Sequence, residues 1–174
     1  ILMIDASTGF ESQDQRIFHI ADRNKKGIVI LVNKWDLKDK STATANEVEE
    51  KIRKKIAPFS DVPILFISVL EKQRLLKGLE TAIEVFKNRA QRISTSKLND
   101  IILPFIQKVP PPAIKGKYIK IKYCTQLPTP TPTFAFFANL PQYIKEPYKR
   151  YIENKLRESF DFSGVPIHIY FRKK

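Results

Sequence analysis

The sequence predicts two domains, an α/β domain over residues 1–92 followed by a small α+β domain over residues 93–174. In the first part, short apolar runs alternate with segments of helical periodicity, which indicates a parallel sheet with helices on both faces. In the second part, the predicted order is helix, strand, strand, helix, strand, which is typical of helices packed beside a sheet. The charge changes with the pattern, because the net charge is +4 in the first part and +9 in the second.

Three apolar runs predict the strands of the first domain, at residues 1–5, 27–33 and 63–68. Each run is short and almost wholly apolar, as expected for strands that are buried on both faces. Helical periodicity predicts three helices, at residues 11–24, 45–59 and 74–93. The first of these helices has one apolar stripe, which is formed by Ile17, Phe18, Ile20 and Ala21.

The second domain is predicted to begin with a helix over residues 94–109, in which Pro104 should introduce a kink or mark the end of the first turn. Three strands follow from alternating or β-branched and aromatic runs, at residues 117–124, 133–138 and 166–174. A second helix is predicted over residues 145–160. Its apolar stripe consists of Tyr148, Ile152, Leu156 and Phe160.

The composition favours a polyanionic partner. The 174 residues include 31 Lys and Arg but only 18 Asp and Glu, and a net charge of +13 suits nucleic acid or an anionic membrane surface. No apolar stretch approaches the ~18 residues that a membrane-spanning helix needs, and no signal peptide opens the chain. The single cysteine, Cys124, cannot form an internal disulfide and fits a reducing compartment such as the cytoplasm. Because the chain opens inside a strand-like run without Met, we expect it to be a fragment.

A candidate base-binding motif lies at the end of the second predicted strand and consists of Asn33, Lys34, Trp35 and Asp36. Guanine presents two adjacent donors, N1–H and the exocyclic amine, and an ionised carboxylate can accept both. Asp36 would be this carboxylate, while Asn33 would tether the loop and the stem of Lys34 would lie over the ring. The carboxyl end of a parallel strand is where open α/β sheets bind ligands. The alternative is a surface loop with a helix-capping aspartate.

A second loop supports guanine recognition. After the third predicted strand, the backbone N–H of Val69 could reach guanine O6, and Ser68 could brace Asp36. The five glycines fit neither G-x-x-x-x-G-K-[ST] nor D-x-x-G, so the sequence contains no phosphate-binding loop. We therefore expect the base half of a nucleotide site without its phosphate half. The predicted nucleotide-binding residues are Asn33, Lys34, Trp35, Asp36, Ser68 and Val69.

These motifs resemble the Der (EngA) family of bacterial ribosome-assembly GTPases. The resemblance rests on LMIDASTGFESQDQRIFHIA, VNKWDL, FIS, PPPAIKGKYIKIKY and the C-terminal LPQYIKEPYKRYIENKLRESFDFSGVPIHIYFRKK. It implies the latter half of a second P-loop GTPase-type domain over residues 1–92 and a KH-like domain over residues 93–174. It also implies GTP or GDP as the ligand, with Mg²⁺ in the intact parent. We expect the parent to hydrolyse GTP, and this chain alone to be inactive and not to retain the nucleotide.

The resemblance further implies two kinds of partner, the large ribosomal subunit with its rRNA and the upstream GTP-binding domains of the same protein. An ordinary KH domain clamps single strands with a Gly-x-x-Gly loop, which this sequence lacks. Alternation instead predicts basic and aromatic residues on one face of each of two strands, a pattern that suits phosphate contacts and stacking. These residues are Tyr118, Lys120 and Lys122 on one strand and His168, Tyr170 and Arg172 on the other. Docking on another domain, and a merely solvated face, are the open alternatives.

The alternative function is a freestanding RNA-binding or docking module with a vestigial α/β half, and a phosphate loop upstream of Ile1 would exclude it. His19 and His168 have no companions for a metal site and Cys124 has no base beside it, so we expect structural roles for all three. We predict no membrane partner. If the chain is truncated, the strand at residues 1–5 has an open apolar edge, through which we expect self-association.

Overall fold

The computed structural model describes residues 1–38, 42–114 and 116–173, of which residues 42 and 43 are described by their backbone alone. The chain forms two compact units, the first made of Ile1–Arg89 with Ser163–Pro166 and the second of Ala90–Phe162 with Ile167–Lys174. The segment 163–166, which the sequence-based division assigns to the second domain, therefore belongs to the first unit. None of the described helices combines the length and the apolarity needed to cross a membrane.

The first unit contains a parallel three-stranded sheet, which confirms the predicted α/β fold. Its strands are β1 (Leu2–Asp5), β2 (Ile30–Asn33) and β3 (Ile64–Phe66), in the order β1-β2-β3. Its helices are α1 (Ser12–Arg23), α2 (Thr42–Ile56) and α3 (Leu75–Ala90). All of these elements were predicted, and β2 and β3 are shorter than the apolar runs that predicted them.

Helices cover both faces of this sheet, because neighbouring residues of a strand point to opposite sides. On one face, Ile30 belongs to the core cluster that includes Phe18 of α1 and Ile52 of α2. On the other face, Leu31 belongs to a cluster with Val85 of α3. The alternation along β2 therefore places α1 and α2 on one side of the sheet and α3 on the other.

The apolar stripe predicted on α1 is only partly buried. Phe18 is fully buried and Ala21 packs against the core, whereas Ile17 and Ile20 are 44% and 50% exposed. Residues three apart share a helix face, so Phe18 and Ala21 face the sheet together. Ile17 and Ile20 each precede them by one residue and lie on the neighbouring side of the helix.

β1 is an edge strand, since β2 pairs with it on one side only. Ile1 and Met3 are 63% and 51% exposed beside this edge. α3 also exposes four large apolar side chains at helical spacing, namely Leu76, Leu79, Ile83 and Phe86. The first unit thus has the open apolar edge that the sequence predicted, and self-association through it stays a prediction.

The segment 163–166 is packed as a part of the first unit. The N–H of Gly164 donates to the carbonyl of Asp61 at 2.8 Å, and its carbonyl accepts from the N–H of Ile28 at 2.8 Å. Val165 is fully buried in the same cluster as Leu31. These contacts fix the backbone immediately before β2.

The second unit has the predicted order helix, strand, strand, helix, strand. Its elements are α4 (Thr95–Lys108), β4 (Ile121–Gln126), β5 (Thr133–Ala138), α5 (Glu146–Ser159) and β6 (His168–Lys173). β5 is central, antiparallel to β4 and parallel to β6. The predicted small α+β fold is therefore confirmed.

One face of this second sheet packs on both helices. The cluster consists mainly of buried residues from α4, β5 and α5, including Leu98, Ile102, Phe134, Phe136, Ile152 and Leu156. Pro104 lies well inside α4, so it does not mark the end of the first turn. The side chain of Asn99 in α4 covers the free edge of β4, because it bonds both the N–H and the carbonyl of Cys124 at 2.8 Å.

Candidate functional site

The carboxyl ends of β1 and β2 lie side by side, with Asp5 paired to Asn33. Directly after Asn33 the backbone turns sharply, because Lys34 adopts the left-handed conformation with φ of 61°. A single 3₁₀ turn, Trp35–Leu37, follows and carries Asp36. The motif predicted to recognise guanine is therefore an ordered turn at the end of the sheet where α/β proteins bind ligands.

Asn33 ties this turn to the loop after β3. Its side-chain Oδ1 accepts from the backbone N–H of Val69 at 3.1 Å, and the N–H of Trp35 donates to the carbonyl of Ile67 at 3.1 Å. Asn33 thus tethers the two loops, as its predicted role requires. The Val69 N–H is occupied by this bond, however, so it does not point freely toward a guanine O6 as the sequence predicted.

Lys34 is held by a carboxylate that the sequence analysis did not single out. Its Nζ lies 2.7 Å from Asp5 Oδ2. Asp5 Oδ1 also accepts from the N–H and the hydroxyl of Ser7, at 2.8 and 2.6 Å. The bonds from Lys34 and then Ser7 lower the pKa of Asp5 to about 2, and Asp5 raises the pKa of Lys34. Both groups are therefore charged at neutral pH, and the ion pair holds the Lys34 side chain beside the carboxyl end of β1.

Asp36 has a buried carboxylate oxygen with an unused bonding capacity. Its Oδ1 is shielded from solvent and has no hydrogen-bond partner within residues 1–38, 42–114 and 116–173. Buried polar atoms are nearly always paired, so this oxygen lacks the partner that a purely structural carboxylate would have. Guanine recognition would require a carboxylate acceptor of this kind.

Ser68 does not brace Asp36, which corrects that expectation. Its hydroxyl oxygen accepts from the N–H of Glu71 at 3.0 Å, and its backbone forms a two-bond bridge with Gln73. The chain turns back on itself directly after Ser68, so this residue stabilises its own loop. Two residues of the loop, Lys72 and Arg74, take left-handed conformations with φ of 53° and 57°.

The side chain of Trp35 is a core residue, which differs from its predicted place among the nucleotide-binding residues. Its ring is buried, with its centroid 4.2 Å from that of Phe66 in β3. Burying the indole releases a large apolar area from water and anchors the turn on the sheet. Trp35 therefore supports the turn from the sheet side, and ligand contacts by Asn33, Lys34 and Asp36 stay a prediction.

The predicted basic face of the strand at residues 117–124 is not a strand face. β4 begins only at Ile121, so Tyr118 and Lys120 precede it, and a register shift between Ile121 and Tyr123 interrupts the alternation at Lys122. All three predicted side chains are exposed, but a bulge removes the simple period of two that placed them together. On β6 the prediction is correct in geometry, since alternate residues share one face, namely His168, Tyr170 and Arg172.

The described residues contain no cluster of three or more His, Cys, Asp or Glu side chains that could hold a metal ion. Cys124 is fully buried, and burial raises the pKa of its thiol to about 12, as expected for a structural cysteine.

Comparison with known families agrees with this geometry. Residues 1–106 match the family described as the elongation factor Tu GTP binding domain, and the chain belongs to this family of GTP-binding domains. Residues 92–172 match the family described as the KH-domain-like of EngA bacterial GTPase enzymes, C-terminal. The resemblance to the Der (EngA) family is thereby confirmed.

Relatives under the name GTPase Der align with the whole chain. The identity over 174 residues is 66% for the protein of Flavobacterium johnsoniae, 63% for that of Flavobacterium psychrophilum and 62% for that of Christiangramia forsetii. The chain spans 40% of the length of each of these relatives.

Proposed function

We propose that the first unit is the guanine-recognition part of a GTP-hydrolysing domain in a longer cytoplasmic protein that acts in assembly of the large ribosomal subunit. The observation that carries the guanine assignment is the Asp36 carboxylate in the turn directly after β2, whose buried Oδ1 has no hydrogen-bond partner within the described part of the chain. The GTPase name of the relatives supports the reaction class.

Guanine fits the charges and donors of this site. Its N1–H and exocyclic amine would both donate to the Asp36 carboxylate, and adenine offers no such pair of donors on that edge. The Asp5 ion pair would hold the stem of Lys34 over the ring, and Asn33 would keep the two loops at a fixed spacing. In the longer protein, a phosphate loop and Mg²⁺ would supply the phosphate contacts and the hydrolytic chemistry.

The 174-residue chain by itself should bind neither GTP nor GDP at micromolar concentrations. Most of the affinity for a nucleotide comes from contacts with the phosphates and Mg²⁺, and this sequence has no G-x-x-x-x-G-K-[ST] loop. Isothermal titration calorimetry of GTP and GDP into the chain, with Mg²⁺ present, measures this directly. A sub-micromolar dissociation constant would contradict the proposal that only base-recognition residues are present.

We also propose that the second unit contacts rRNA, and that upstream GTP-binding domains of the same protein are its further partners. Residues 93–174 carry 14 basic and 5 acidic residues, which favours a polyanion. At one end of the second sheet, four exposed cations have no ion-pair partner within the described part of the chain, namely Lys120, Lys122, Arg172 and Lys173. Docking on another domain is the alternative role of this surface.

Charge reversal tests the RNA contact. The double variant Lys120→Glu with Lys122→Glu should weaken binding to purified large-subunit rRNA. It should also reduce the slope of log K against log salt concentration by roughly 2, because each lost phosphate contact means that about one counterion fewer is released. The matched control is Lys51→Glu with Lys54→Glu on α2, where Lys54 is paired with Glu50 at 2.6 Å. Filter binding across a salt series measures the affinity and the salt slope of both double variants. Equal losses from the two pairs would place the RNA surface elsewhere.

A further inference from the structure

The second sheet has an outer face, opposite the face that packs on α4 and α5. The strand register defines the residues on it, because directly paired residues of neighbouring strands point to the same side. Three rows cross this outer face, made of Tyr123, Phe137 and Arg172, then Thr125, Ala135 and Tyr170, then Thr133 and His168. We call these residues the outer face below.

Aromatic rings dominate the outer face. Tyr123 and Phe137 are stacked, with ring centroids 4.4 Å apart and planes inclined by 12°. Tyr170 is 52% exposed and lies beside His168, with centroids 6.4 Å apart and an angle of 24°. The small side chain of Ala135 separates these two aromatic groups, since it precedes Phe137 by two positions along β5 and pairs with Tyr170. Aromatic rings therefore lie on both sides of Ala135, which is itself fully buried, and of these rings Tyr123 and Phe137 are half-buried while Tyr170 is exposed.

Cations flank the aromatic rings at one end of the sheet. Ala138 at the end of β5 pairs with Ile121 on one side and with Lys173 on the other. Lys120 and Lys122 adjoin Ile121, and Arg172 lies in the same row as Tyr123 and Phe137. Positive charge is thus present at both edges of the sheet beside the stacked pair, which complements a phosphate backbone and not an apolar protein surface.

We propose that the outer face binds single-stranded RNA, with unpaired bases stacked on the Tyr123–Phe137 pair and on Tyr170 and with phosphates beside Lys120, Lys122 and Arg172. This inference rests on the proposed RNA contact and names the class of RNA. Bases inside a duplex are already stacked and cannot reach a sheet face, whereas splayed bases stack on exposed aromatic rings. The sheet would replace the Gly-x-x-Gly clamp that this sequence lacks.

The test is fluorescence anisotropy of the 174-residue chain with a labelled, unstructured 12-nucleotide RNA and with a duplex of the same length. The wild-type chain should prefer the single strand, and Tyr170→Ala and Tyr123→Ala should each lower the affinity by about tenfold, the usual effect of losing one base stack. Tyr170→Phe keeps the ring and should retain the wild-type affinity. Phe86→Ala is the control for an exposed aromatic ring, since Phe86 is 68% exposed on α3 of the first unit and belongs to no predicted RNA contact.

The outcomes distinguish a failure of this inference from a failure of the proposed RNA contact on which it rests. If the wild-type chain binds neither RNA, the proposed RNA contact fails and the outer face is left to a protein partner. If the wild-type chain binds with a steep salt dependence but the duplex binds as well as the single strand, or Tyr170→Ala has no effect, only the stacking inference is overturned. A loss confined to Phe86→Ala would place the RNA surface on the first unit and overturn the inference. Circular dichroism of each variant excludes a folding defect, and Tyr170→Ala alone decides the result if Tyr123→Ala fails to fold.

Discussion

In a full-length protein that contains this chain, Asp36→Asn should weaken GTP binding roughly 100-fold, a loss of about 3 kcal/mol. The substitution replaces an acceptor of two charge-assisted hydrogen bonds by an amide with one acceptor oxygen, and the amide N–H₂ would face the guanine amine. Xanthine carries a carbonyl oxygen where guanine carries that amine. The same variant should therefore gain affinity for xanthosine triphosphate, because the amide can then donate to the base.

Equilibrium competition between the two nucleotides measures this exchange of specificity. Asp22→Asn on α1 is the matched control, since it removes the same charge from the first unit away from the site and should leave the preference for GTP unchanged. A variant that loses both nucleotides equally would indicate a disrupted loop and not a lost base contact. Unchanged preference for GTP in Asp36→Asn would exclude Asp36 as the guanine acceptor.

The fold was largely predictable because its elements have strong local signals. The run of aromatic and β-branched residues at 133–138 is bounded by Pro and Thr on one side, and β5 spans that range. The predicted strand at residues 117–124 was less accurate, because a β-bulge depends on pairing with β5 and leaves no mark in the periodicity of one strand. The segment 163–166 could not be assigned for a similar reason, since its place in the first unit depends on contacts with residues a hundred positions away.

The site was predictable in position and less so in orientation. A polar motif at the end of a buried strand located Asn33 and Asp36, since strand ends in a parallel sheet meet at one edge. Which way each side chain of a single 3₁₀ turn points is set by packing, so sequence alone did not separate buried Trp35 from Asp36. Asp5 was missed although it also ends an apolar strand, and parallel pairing of the first two predicted strands would have placed it beside the motif.

Gly164→Ala should destabilise the first unit by about 3 kcal/mol, through a strained backbone and a steric clash together. Gly164 has φ of +73°, a conformation that L side chains adopt at a cost. A methyl group there would lie 2.6 Å from Val85 Cγ2 and 2.8 Å from the carbonyl oxygen of Ile28. The backbone cannot move away freely, because the N–H and the carbonyl of Gly164 are both bonded within the first unit.

Urea unfolding followed by tryptophan fluorescence measures this effect in the first unit alone, since Trp35 is the only tryptophan of the chain and is buried there. Gly9→Ala is the control for backbone strain, because Gly9 has φ of +79° with no atom within 4 Å of an added methyl, and it should cost only about 1 kcal/mol. Gly27→Ala is the control for the clash, since its methyl would lie 2.7 Å from the side chain of Val85, the nearest backbone atom is 3.7 Å away, and the backbone is not left-handed. Because Gly164 is far from the first unit in sequence, a loss greater than that of either control requires that residues 163–166 fold with it. A urea midpoint equal to that of Gly9→Ala would mean that residues 163–166 move aside without destabilising the first unit and are not packed against β2.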